Sequence, residues 1–251
     1  MSVSADVLLK IDNVSKSYGA TPVLQDVSFS LARGELLGII GPNGSGKTTL
    51  FGTISGSLPV DGGSVMLDGT DITRFKASRR AKMGIGRTFQ VPQAFADMSV
   101  YENLLVAAHF GAQLPAREAD RLVADVMDRT DFTSKADALA GGLTLLDRKR
   151  LELARALATK PTLLLLDEIA GGLTDDEANQ LAAAVGSLVG PDLGIIWIEH
   201  LVHILTGTAN RLLVIGNGVV IADGEPKATM NKGSVRQIYL GLEPDTNDLD
   251  H

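Results

Sequence analysis

Two stretches near the start of the chain, VLLKIDNVS at 7–15 and VLQDVSFSL at 23–31, alternate apolar and polar residues, as half-buried strands do. The alternation then stops. ELLGII at 35–40 is a short continuous apolar run, the mark of a strand covered on both faces. It passes directly into GPNGSGKTTL at 41–50, where a helix reaching about residue 57 is predicted. GSVMLDG at 63–69 reads as a further strand of an antiparallel part, and 84–90 as a strand leading into a loop.

From 99 to about 129 the spacing of apolar residues becomes helical. Ser99 and Glu102 stand in the relation of a capping box, and a second helix is predicted to open near Pro115. An amphipathic helix follows from Asp147. TLLLL at 162–166 reads as a buried strand ending in Asp167-Glu168, followed by a helix over 175–189, a strand at 194–198, a short helix after His200, and strands near 212–215 and 219–222. Strands alternating with helices predict a parallel sheet, with ligands at the carboxyl ends of its strands. The last residues, EPDTNDLDH, are polar and acidic and read as a disordered tail.

Composition narrows the function classes. A chain of 251 residues with 45% hydrophobic content buries a sizeable core, and 27 glycines with few aromatics favour an α/β plan over a helical bundle. The absence of cysteine excludes disulfides and thiolate metal sites. Asp6 and Lys10 interrupt the apolar stretch at the amino terminus, so no secretory signal is expected. No apolar run approaches the ~18 residues of a membrane span, which leaves membrane association to a partner or a surface. A net charge of −7 argues against a nucleic-acid binder. The basic cluster Lys76, Arg79, Arg80, Lys82 and Arg87 reads as a solvated face.

Chemistry enters at 41–48. Gly41, Pro42, Asn43, Gly44, Ser45, Gly46, Lys47 and Thr48 fit G-x-x-x-x-G-K-[ST], between a buried strand and a helix. Such a loop turns successive N–H groups toward phosphates. Lys47 would neutralise the outer ones and Thr48 would ligate Mg²⁺, with the backbone amides of 44–49, Thr49 included, completing the cradle. A second strand must hold the metal, and Asp167 at the end of 163–167 is the Walker-B-type candidate. Glu168 beside it is the candidate general base for an attacking water. Gln90 could reach both Mg²⁺ and that water, and His200 the γ-phosphate. Taken alone, each of these two reads first as a satisfied polar residue at the end of an element.

LTLLDRKRLELARAL at 143–157 poses a problem of charge. Arg148, Lys149 and Arg150 crowd the first turn of a helix, where the dipole disfavours cations. Either they are a solvated charge run, or the helix start faces an anion.

The order of these motifs resembles the ATP-binding cassette (ABC) ATPase family over residues 7–240: Tyr18, the phosphate loop, Gln90, a helical insert, the segment 143–147, LLLLDE and His200. GIGRTFQ, YENLLVAAH and IEHLVHIL resemble, more narrowly, ATPase subunits of branched-chain amino acid uptake systems (LivG/LivF-like). The resemblance implies a P-loop NTPase core with a mainly parallel sheet and an antiparallel β subdomain, built from about 1–90 and 160–240. It also implies a helical subdomain over about 91–159 and a flexible acidic tail at 241–251. Two such subunits would sandwich two ATP molecules, each between one phosphate loop and the partner's signature segment. Tyr18 would stack on adenine. The cations at 148–150 would lie near the partner's nucleotide.

At the signature the sequence departs from the family pattern Leu-Ser-Gly-Gly-Gln, reading Leu143, Thr144, Leu145, Leu146 and Asp147. Leu145 and Leu146 add bulk where glycines let backbone approach phosphate, and Asp147 brings a negative charge unless it serves as helix N-cap, turned away. Ile169 and Gly171-Gly172-Leu173-Thr174 also differ from the family's Pro and Ser-Ala-Leu-Asp. The phosphate loop, Gln90, Asp167, Glu168 and His200 are intact, so a heterodimer with a standard signature from the partner is expected. The resemblance thus implies an ATP-hydrolysing importer subunit on the cytoplasmic face of the membrane. Its expected cofactors are ATP and Mg²⁺, and its expected partners are a second ATPase subunit, permease subunits and, indirectly, a substrate-binding protein. The alternatives are an ATP-binding assembly module with little hydrolysis, or a non-transport ABC ATPase.

Overall fold

The computed structural model describes residues 7–89 and 91–240; Gln90 and the acidic tail at 241–251 lie outside the described residues. The elements in chain order are β1 (Val7–Tyr18), β2 (Thr21–Ala32), β3 (Leu36–Ile40), α1 (Lys47–Ser55), β4 (Gly62–Leu67), β5 (Thr70–Asp71), α2 (Ala77–Lys82) and β6 (Ile85–Arg87). Then come α3 (Val100–Val106), α4 (Ala116–Arg129), α5 (Leu145–Ala158), β7 (Leu163–Asp167), α6 (Asp175–Leu188) and β8 (Gly194–Ile198). The chain continues through α7 (Val202–Thr208), β9 (Arg211–Gly216), β10 (Val219–Gly224), α8 (Pro226–Met230) and α9 (Gly233–Leu240).

Two sheets result. The antiparallel one has the order β2-β1-β4-β5, and the larger one the order β10-β9-β3-β8-β7-β6. In the larger sheet β9, β3, β8, β7 and β6 run parallel and only the edge strand β10 is antiparallel. The continuous apolar runs ELLGII and TLLLL have the burial they predict, since β3, β7 and β8 are buried at every residue.

Alternate side chains of these strands enter different cores. Leu36, Ile40, Leu164, Leu166, Ile195 and Trp197 face α3, α4, α5 and α6. Leu37, Ile39, Leu163, Leu165, Ile196 and Ile198 face the antiparallel sheet, with Leu50, Phe51 and Ile54 of α1 in the same layer. The helix that begins at the phosphate loop is therefore packed between two sheets.

Several local expectations hold. Ser99 caps α3 in a capping box with Glu102, and α4 opens at Pro115. The stretch from 99 to 129 is not continuous helix, because α3 passes into a π-helical turn, Ala107–Gly111, before α4. The basic cluster is not uniformly a solvated face. Arg80 is buried and donates to the carbonyls of Thr53, Ile54, Thr73 and Phe75, closing the carboxyl end of α1.

Candidate functional site

The carboxyl ends of four parallel strands meet at one edge of the larger sheet. β3 releases the phosphate loop, β7 ends in Asp167 with Glu168 beyond, β8 leads to Glu199 and His200, and β6 ends in Arg87 followed by Thr88.

The loop tolerates no side chain at either end of its bend. A Cβ on Gly41 would lie 2.2 Å from the Ile215 carbonyl oxygen, and Gly46, at φ 102°, would press on Leu24 and Val23. Lys47 is buried beneath the loop and donates to the carbonyls of Gly41 (2.7 Å) and Pro42 (2.9 Å). Burial pushes its ammonium pKa down, while Glu168 and Asp167 pull it back up. Pro42, Asn43, Gly44 and Thr48 are exposed, and Thr49 is half-buried.

Two observations show that these residues suit phosphate. α1 starts without a side-chain cap and without an acidic residue in its first turn, so its first N–H groups meet no side-chain acceptor. The Ser45 hydroxyl is buried with no hydrogen-bond partner among the described residues, although buried hydroxyls ordinarily have one. A bend lined by donors, with a lysine below it, fits the phosphates of a nucleotide.

Asp167 is held from the neighbouring strand. Arg87 Nη2 donates to its Oδ2 at 2.8 Å, and its backbone N–H donates to the Thr88 hydroxyl at 3.2 Å. Glu168 takes a left-handed conformation, φ 48°, anchored by its N–H on the Ile198 carbonyl. Its Oε1 lies 2.7 Å from His200 Nε2. A carboxylate only accepts, so that ring nitrogen carries the hydrogen. Thr48 and Asp167 offer oxygen ligands for a divalent cation, and among the described residues no three His, Cys, Asp or Glu side chains are grouped so as to hold a metal ion by themselves. That donor set fits Mg²⁺, which uses one or two protein ligands and takes the rest from phosphate and water.

Behind Glu168 lies a buried charged layer that sequence reasoning missed. Glu199, 2% exposed, accepts from the Ala170 N–H (2.8 Å) and Trp197 Nε1 (3.1 Å), and burial raises its pKa. Lys149 is buried on α5, where desolvation lowers its pKa and Glu199, Glu152 and Glu168 oppose that shift. The signal was present: Glu199 directly follows the apolar strand GIIWI.

The signature segment corrects two expectations. Thr144, not Asp147, caps α5, accepting from the Asp147 N–H, and the helix starts at Leu145. Asp147 is buried against Lys135 at 2.7 Å. The cations are compensated within the chain: Arg148 donates to the carbonyls of Leu143 and Gly141, Arg150 meets Asp131 and Gln180, and Lys149 lies among the carboxylates just described. Leu143 is buried, Thr144 and Leu145 are exposed, and Leu146 is half-buried. Tyr18 ends β1, half exposed, in the hairpin whose second strand touches Gly46 through Val23 and Leu24. The structure thus brings Lys47, Asp167, Glu168 and His200 together at the strand ends.

The family model described as "ABC transporter" matches residues 24–171. The chain is 32% identical over 234 residues to the lipopolysaccharide export system ATP-binding protein LptB of Haemophilus influenzae, covering 93% of this chain and 97% of the relative. It is also 32% identical over 249 residues to the high-affinity branched-chain amino acid transport ATP-binding protein BraF of Pseudomonas aeruginosa, covering 93% and 98%. The crystal structure of an ATP-binding cassette of an ABC transporter in its ADP conformation superposes with a TM-score of 0.86 at 31% identity, over 94% of this chain and 99% of the other. No helix among the described residues is long and apolar enough to cross a membrane. With a phosphate-binding loop, a strand-end carboxylate pair and this similarity across nearly its whole length, the chain belongs to the ABC transporter family and is an ATP-hydrolysing subunit of such a transporter.

Proposed function

We propose that this subunit powers uptake of branched-chain amino acids or related small polar or organic-acid solutes, working at the cytoplasmic face of the membrane with permease subunits and a substrate-binding protein. Lys47 and the backbone amides of 44–49 hold the ATP phosphates, and Tyr18 stacks on adenine. Thr48, Asp167 and Gln90 hold Mg²⁺, which supplies charge neutralisation at the phosphates. Glu168 polarises the attacking water, and His200 orients it and senses the γ-phosphate. The 2.7 Å contact between His200 and Glu168 carries this reading, because it joins the proposed base to a group that fixes its direction. ATP favours a closed dimer of cassettes and hydrolysis removes that preference.

A permease helix is proposed to dock near Phe89. Phe89, Val91, Phe95, Met98 and Phe110 are exposed, beside a cavity of about 300 Å³ lined partly by Ala77, Ala81, Ile85 and Phe89. Residues 1–240 form the cassette, with about 91–159 as its helical part. The exposed bulk of Leu145 supports a heterodimer in which a different ATPase subunit supplies a standard signature. The similarity to LptB supports a second reading, export of a lipid-linked solute. ATPase stimulation by the permease together with an amino-acid-loaded binding protein, in vesicles, decides between the two.

The role of Glu168 has its own test. Glu168→Gln should keep ATP affinity and lose about a hundredfold or more of turnover; unchanged turnover would refute it. Light scattering on that variant with ATP and Mg²⁺ should give a monomer alone and a dimer only with the second subunit. A homodimer would refute the heterodimer.

A further inference from the structure

Asp167 is gripped by a residue to which the established ATPase activity assigns no part. Arg87 closes β6, whose register places it beside Leu165, and both members of the Arg87–Asp167 pair are largely buried. The guanidinium has few other polar anchors. Nη1 reaches the Ser55 hydroxyl only at 3.4 Å, and Nε is buried with no hydrogen-bond partner among the described residues. The rings of Phe51 and Phe89 flank it at 5.9 and 5.5 Å, which confines its motion. A short charge-assisted hydrogen bond from a confined guanidinium fixes one oxygen of the carboxylate and leaves the other to further ligands.

Resting on the role proposed above for Asp167, we propose that Arg87 is a positioning residue for that carboxylate, holding it in the orientation through which Mg²⁺ strengthens nucleotide binding. Two effects of Arg87 oppose each other. Its charge repels a nearby metal ion, whereas its hydrogen bond stops Asp167 from turning to Lys47, a cation that feels its charge. The carboxylate paired with Arg87 is the metal ligand itself, so orientation must outweigh repulsion, and the sign of the change on removing Arg87 decides between them.

Calorimetric titration of the full chain with ATP, once with Mg²⁺ and once with EDTA, tests this. Arg87→Met should bind ATP in EDTA within about twofold of wild type and lose about tenfold of the affinity that Mg²⁺ adds, the equivalent of one charge-assisted hydrogen bond. Arg87→Lys should recover part of the loss. An unchanged or increased Mg²⁺ enhancement in Arg87→Met overturns the proposal, as does an equal loss in EDTA, which would make Arg87 merely structural. Asp167→Asn separates the two readings. If that variant keeps the enhancement, the role of Asp167 fails first; if it loses the enhancement while Arg87→Met keeps it, only the role of Arg87 fails.

Discussion

Replacing Arg80 by Ala should destabilise the chain by about 3–4 kcal/mol, and the structure shows where that energy resides. The side chain is 1% exposed and gives hydrogen bonds to four carbonyls, those of Thr53 and Ile54 in the last turn of α1 and those of Thr73 and Phe75 in the segment before α2. The last carbonyls of a helix have no partner within it, and a cation there also meets the negative end of the dipole. Burial costs the guanidinium part of its charge preference, and Asp71 offsets some of that cost. Each hydrogen bond to a charged group contributes about 1.5–3 kcal/mol, but bonds that share one donor group are not additive; the lost packing of the side-chain stem adds to the total. Gly56 supplies an internal check. It sits at φ 79°, and a Cβ there would lie 2.8 Å from Arg80 Nε and 2.9 Å from the Phe75 carbonyl oxygen. Gly56→Ala should therefore cost about 1–2 kcal/mol alone and about 1 kcal/mol less in the Arg80→Ala background, where the contacts with Arg80 Nε and Cδ are gone and only that with the Phe75 carbonyl remains. Urea denaturation followed by circular dichroism, without nucleotide, measures all four corners. A loss below about 1 kcal/mol for Arg80→Ala, or strict additivity of the two changes, would refute the reasoning.

Two further changes probe the layer behind the site. Glu199 has a raised folded pKa, so the folded state holds its proton more tightly than the unfolded chain, and the stability it contributes is lost as pH rises through that folded value. Glu199→Gln should therefore gain stability over wild type between acid and neutral pH; a melting-temperature difference that stays flat with pH contradicts this. Thr144→Ala removes the cap of α5 and should cost about 1 kcal/mol in denaturant, with Thr144→Ser close to wild type; equal losses for Ala and Ser would show that the hydroxyl contributes nothing.

The elements easiest to read from sequence were those with a single dominant constraint. Buried parallel strands are apolar at every position because both faces are covered, and β3, β7 and β8 follow that rule. The phosphate loop was legible because its glycines, Lys47 and Thr48 stand at fixed short spacing between a buried strand and a helix, although the contacts that exclude a side chain at Gly41 and Gly46 come from Ile215, Val23 and Leu24, far away in sequence. Arg80 and Arg87 were misread together as a solvated charge run, since neither Thr53 nor Asp167 is near them in sequence and charge spacing carries no record of a partner 27 or 80 residues distant. At α5 the dipole problem was correctly posed, but the groups that face its cations inside the chain are the Leu143 and Gly141 carbonyls, Asp131 and Glu199, of which the last two are brought to the helix start only by the fold. Asp147 was a plausible cap by residue type; Thr144 took the role because its hydroxyl reaches the N–H three residues on.

The division of the sheet's two faces between separate cores has a consequence for how motion is distributed. α1 shares its layer with β1, β2 and β4, whereas α3, α4 and α5 pack on the opposite face. Amide hydrogens of α1 can then exchange with solvent only when the layer between the sheets opens, a cost near that of global unfolding. Phosphates bound at the uncapped start of α1, as proposed above, would be held by the part of the chain that opens last.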